Sequence, residues 1–91
     1  QDILDMAGYF ANHLRTTAPD NLDAQLHLAW KTAWSKEASP HDITAAKQFL
    51  DEQTQFYTDK KNLPKDQDAP RAALTNFCQA LLSANAFLYV D

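Results

Sequence analysis

Three histidines, one cysteine, two tryptophans and 12 carboxylates are the side chains of this sequence that could do chemistry. A metal site on a helix needs ligands in pairs, such as histidines at i and i+4, and His13, His27 and His41 have no such partners. His41 also follows "SP" at a helix start, where an imidazolium would oppose the positive end of the dipole. All three read as exposed or locally hydrogen-bonded. A nucleophilic thiol needs a base beside it and some exposure, whereas Cys78 stands in the Leu-rich run "FCQALL", which predicts burial. Covalent haem attachment needs Cys-x-x-Cys-His, and Cys78 is followed by Gln79, Ala80 and Leu81. General acid–base catalysis needs a carboxylate held in a desolvated cleft. Asp2, Asp5, Asp20, Asp23, Asp42, Asp51 and Glu52 instead fall at helix starts and on polar faces, as caps and solubilising groups. With Gly8 as the single glycine, no Gly-rich phosphate loop can form. The expectation is a chain with no catalytic residue, no metal and no cofactor, and not an enzyme.

Trp30 and Trp34 are a different matter. Spaced i and i+4, they project from neighbouring points on one helix face. Both can anchor a core. Alternatively Trp34 is partly exposed and contacts a partner, since an exposed Trp is a good hot-spot anchor. The nearly uncharged ending "FCQALLSANAFLYVD" adds Phe87 and Tyr89 to the candidate interaction residues.

The elements that must position these residues are helices. The chain is 91 residues long, 45% apolar, with 1 Gly and 4 Pro, which suits one small domain and disfavours a turn-rich β fold. Ile3, Met6, Phe10 and Leu14 give the first helix, about Asp2 to Thr16, one apolar face. Gly8 inside it suggests a close approach by another helix, and Pro19 stops it. Asp20 or Asn21 caps a second helix, Leu22 to Ser35, with Leu22, Leu26, Ala29, Trp30 and Ala33 inward and Leu28 and Trp34 at the sides. "SPHD" starts a third: Ser39 as cap, Pro40 at the first position, and Asp42 favouring the dipole. Its inward face is Ile43, Ala46, Leu50 and Tyr57, with Phe49 and Phe56 beside it, and it ends near Tyr57 or Thr58. "DKKNLPKDQDAP" reads as a mobile loop in which Lys60, Lys61 and Lys65 alternate with acids. Asp68 caps the fourth helix, whose inner face is Leu74, Phe77, Cys78, Leu81 and Asn85. Phe87 to Val90 then form an extended apolar tail docked on the bundle. The fold predicted is all-α: a small four-helix bundle with that tail.

Charge narrows the partners. The balance is 8 basic against 12 acidic residues, a net −4. Phosphate neutralisation needs a clustered basic face, so no nucleic-acid partner is expected. No run reaches the roughly 18 apolar residues that would cross a bilayer, so no membrane insertion is expected. A lone cysteine forms no disulfide within the chain and leaves the compartment open.

The ending resembles a family motif. "FCQALLSANAFLYVD" is similar to "LCQALLNSNEFLYVD", typical of the C-terminal domain of large planctomycete proteins that carry cytochrome-c-like domains (PSD-type), a family of unknown function. It departs at Phe77, Ser83, Ala84 and Ala86. Upstream, "AWKTAWSKEASPHDITAAKQFL" resembles the family's "AYRLALGRPPTPEELAAALAFL", with Ser35-Lys36 at the Gly-Arg break and Asp42 at the capping Glu. The likeness spans Ile3 to Asp91, and the family's "TPxQALxLLND" segment would precede Gln1. The resemblance implies a cell-envelope or exported setting and no activity. With the missing initiator Met, it leads to the expectation that residues 1–91 are a single helical domain, the C-terminal fragment of a larger protein. Its partners would then be the upstream domains of the same polypeptide, with a separate protein or self-association as further options. Two functions follow: a non-catalytic structural or interaction domain, marked by an exposed apolar patch near the N-terminus or around Trp34 and Phe87 to Val90; or an accessory part of an enzyme or electron-transfer protein whose active centre lies upstream, marked by a cleft with perturbed ionisable groups.

Overall fold

The computed structural model describes residues 2–60, 63 and 67–88, with the side chains of residues 60 and 85–88 outside that description. Four helices make up the chain: α1 (Ile3–Thr17), α2 (Leu22–Trp34), α3 (Pro40–Lys60) and α4 (Ala69–Leu88), with no strand among the described residues. The expected all-α four-helix bundle is what forms.

Each helix start carries a side-chain cap that takes up a free first-turn N–H. Asp2 accepts from the Asp5 N–H at 2.9 Å, Asn21 from Ala24 at 3.0 Å, and Asp68 from Arg71 at 3.0 Å. At α3 the arrangement is reciprocal. The Ser39 hydroxyl accepts from the Asp42 N–H at 3.0 Å, and the Asp42 carboxylate accepts from the Ser39 N–H at 2.9 Å. This is a capping box with Asp in place of the usual Glu or Gln. Between α1 and α2 the chain reverses through Asp20, at φ 57°, and α2 ends on Ser35 at φ 58°. Such left-handed positions favour Gly, and Ser35 holds one without it.

Helix α4 is the centre of the bundle. It packs against α1, α2 and α3, whereas among the described residues the backbones of α1 and α3 do not approach each other closely. One continuous core results: Ala7, Ala11 and Leu14 from α1; Leu26 and Ala29 from α2; Ile43, Ala46 and Leu50 from α3; Ala73, Leu74, Phe77, Cys78 and Leu81 from α4. Burying each large apolar side chain is worth about 1.5–3 kcal/mol. Phe77 holds the middle, its ring 5.9 Å from Trp30 and 6.0 Å from Phe49. Asn76, one residue earlier, donates to Gln53 Oε1 at 2.9 Å and to the Tyr57 hydroxyl at 2.6 Å, tying α4 to α3 by polar contacts. Gln25, the one buried polar residue of α2, donates from Nε2 to the Ala18 carbonyl at 2.9 Å and so closes the α1–α2 turn.

Several sequence expectations need correcting. The inward line of α1 is Ala7, Ala11 and Leu14, rotated from the expected Ile3, Met6, Phe10 and Leu14: Met6 is 45% exposed, and Ile3 and Phe10 are half-covered. Small alanines let α4 come close and so win the contact face from larger neighbours. Gly8 faces no neighbouring helix, because a Cβ built there meets nothing within 4 Å. Leu22, at the first turn of α2, is exposed rather than inward. Helix α3 runs past Thr58 to Lys60. Helix α4 continues through Asn85 to Leu88, so Phe87 and Leu88 are helical and not extended. The physical reason is propensity: Ala84, Ala86 and Leu88 are strong helix formers, and no Gly or Pro interrupts them. The remainder of the expected tail, including Tyr89, and residues 61, 62 and 64–66 of the expected loop lie outside the described residues.

Candidate functional site

Two regions bring together side chains with something left to offer. His13, His27 and His41 are all exposed and far apart in sequence, with the His13 ring 3.5 Å from the Thr17 hydroxyl one turn on. No group of His, Cys, Asp or Glu among the described residues could hold a metal ion. Among the described residues no helix is long and apolar enough to cross a membrane. Cys78 is fully buried, as its Leu-rich surroundings predict, and burial pushes its thiol up to about 12, with Arg15 acting weakly the other way. A thiol so placed stays protonated and unreactive at neutral pH.

The tryptophans divide between core and edge. Trp30 packs on Phe77 and belongs to the rim of the core. Trp34, in the last turn of α2, is half-buried against the same core, with the Lys36 ammonium 5.9 Å from its ring centroid. Its indole N–H is buried without a hydrogen-bond partner. Phe87 lies on the last turn of α4, its side chain outside the described set, and Tyr89 lies beyond it. The structure therefore brings Trp30 and Trp34 to the core.

The first region is the outer surface of α1. Met6 and Tyr9, three residues apart, share one side of the helix, and Tyr9 is 69% exposed. Half-covered Ile3 and Phe10 border them. Leu4 is exposed on the opposite flank, beside the open position at Gly8. Sequence reasoning located an apolar patch near the N-terminus as a possibility. It missed that Met6 would belong to that patch and not to the core.

The second region is a cavity of about 520 Å³ where the end of α1, the start of α2, the middle of α3 and the start of α4 converge. Leu22, Leu50 and Leu74 give it apolar walls. Arg15 and Arg71 reach it from α1 and α4, and Asp20 and Asp51 from the other sides. Arg15 Nη1 is buried and has no hydrogen-bond partner. Partial burial, then the neighbouring positive charge of Arg71, hold the Arg15 guanidinium below its ordinary value, with Cys78 and then Asp68 acting the other way. Nothing in the sequence pattern pointed here. Arg15 reads as one more cation at a helix C-terminus, and Arg71 lies far along the chain on a different helix.

No family model, curated protein or solved structure matches this chain.

Proposed function

We propose that this chain is a non-catalytic interaction domain that docks, through the outer side of α1, on other domains of a longer polypeptide. The observation that carries the proposal is the exposure of Met6 and Tyr9 side by side on a helix packed on its other face. Apolar side chains grouped on one helix face mark a contact surface more often than isolated ones do. Their place at the first turns of the domain suits a contact with segments that precede it. In this reading the domain is the C-terminal part of a protein of the planctomycete, cytochrome-c-associated kind that its ending resembles, and it works in the cell envelope.

The test uses a thiol probe. With Cys78 buried, Met6→Cys introduces a single reactive site. Its labelling is compared in the isolated chain and in the full-length gene product. Slower labelling in the longer protein, by tenfold or more, supports docking on a neighbouring domain. Equal labelling overturns it, as does a gene product that contains no further domain. Protection that grows with the concentration of the isolated chain would assign the surface to a second copy instead.

A further inference from the structure

We propose that the cavity between the four helices binds a small amphipathic anion, with its carboxylate or phosphate head on Arg15 and Arg71 and its apolar body against Leu22, Leu50 and Leu74. The site is independent of the α1 surface and of any partner docked there.

The first observation is an unmet donor. Arg15 Nη1 is removed from solvent and has no acceptor, although buried donors in folded proteins almost always find one. Its position in the last turn of α1 suits the negative end of that helix. That accounts for a positive charge there, but not for a buried guanidinium nitrogen left without an acceptor on a residue that lines the cavity. The second observation is the neighbour. Arg71 lines the same cavity from the first turns of α4. Two guanidiniums sharing one space repel, and Asp68, whose charge reaches Arg15, is already engaged as the cap of α4.

The third observation concerns the carboxylates. Asp20 and Asp51 also line the cavity. The ion pairs among the described residues are Lys31–Glu37 and Lys47–Asp23, so neither acid closes on Arg15 or Arg71. The start of α2 at Asn21 and Leu22, and that of α4 at Pro70, also face this space and bring the positive ends of two helices to it. The volume of about 520 Å³ falls within the ordinary range for small-molecule sites, roughly 300–1,000 Å³. Guanidinium pairs recognise planar carboxylates and phosphates by paired N–H donors. Three leucines on the wall reward an apolar body and make a bare inorganic ion a poor fit.

Isothermal titration calorimetry on the chain decides it, with octanoate and octyl phosphate as charged probes and octanol as the uncharged control. At least one charged probe should bind saturably and octanol should not, and the tighter of the two identifies the head group. Arg15→Gln and Arg71→Gln should each weaken binding by about tenfold, the loss expected for one charge-assisted pair. Asp51→Asn removes a nearby negative charge and should tighten binding several-fold. That gain cannot come from a misfolded protein, so it carries the test even where an arginine variant folds poorly. No binding of either charged probe, octanol binding as tightly as octanoate, arginine variants indistinguishable from the parent, or Asp51→Asn without a gain would each overturn the proposal.

Discussion

Helices α1 and α4 both carry apolar side chains at helical spacing, yet they meet opposite fates. Helix α4 has a neighbour on three sides, and Leu74, Phe77, Cys78 and Leu81 are all buried. Among the described residues, helix α1 packs closely on α4 and α2, and its largest apolar side chains apart from Leu14 stay exposed or half-covered while two alanines fill its contact face. Periodicity sets which side chains lie on a common face. Whether that face is covered depends on how many helices stand around it. The comparison separates what stabilises the bundle from what it leaves for a partner.

Substitutions should divide along the same line. The largest effect is expected at Phe77, which touches aromatic rings from α2 and α3. Phe77→Ala should lose about 3–5 kcal/mol in urea unfolding, and a loss below about 1 kcal/mol would break the claim that α4 is the centre. Asn76→Ala should cost about 1–2 kcal/mol, because it strips the partly buried Gln53 and Tyr57 of their shared donor. On α1 the sign reverses. Gly8→Ala should raise stability by about 0.5–1 kcal/mol, since the backbone is helical and the added methyl meets nothing. A loss there would mean that a helix approaches closely after all. Met6→Gln and Tyr9→Ser should change stability by less than about 0.5 kcal/mol while altering the docking of α1.

A titration sharpens the picture at the start of α3. The Ser39 backbone N–H, then its side chain, hold the Asp42 carboxylate below its ordinary value of 3.8. A depressed carboxylate contributes stability that is fully present above 3.8 and is lost as acid carries the pH down through the lower folded value. Melting temperatures followed from pH 6 downward should fall more steeply for the parent than for Asp42→Asn, and parallel curves would remove the box from the account.

Much of the fold was legible in the residues. The "SPHD" start of α3, the Asn21 and Asp68 caps, the stop before Pro19 and the inward line Leu74, Phe77, Cys78 and Leu81 all follow from short-range rules that hold within one turn. The errors share a cause. Met6 fits the inward period and Gly8 permits a close neighbour, yet where each of them points depends on where α4 lies. Phe87 and Leu88 suggest an extended tail by their bulk, while Ala84 and Ala86 before them continue the helix to Leu88. The cavity was invisible because Arg15 and Arg71 come together only when α1 and α4 pack.

The sequence by itself determined four capped helices, an acidic surface and a chain without the spacing of a metal or haem motif, since each of these depends on residues within a turn or two of one another. Only the tertiary structure decided that alanines, not methionine, face α4, that Trp30 packs on Phe77, and that two arginines border one cavity. Those outcomes depend on which helix reaches which neighbour. That is settled by close packing summed over the whole chain, and no local window contains it.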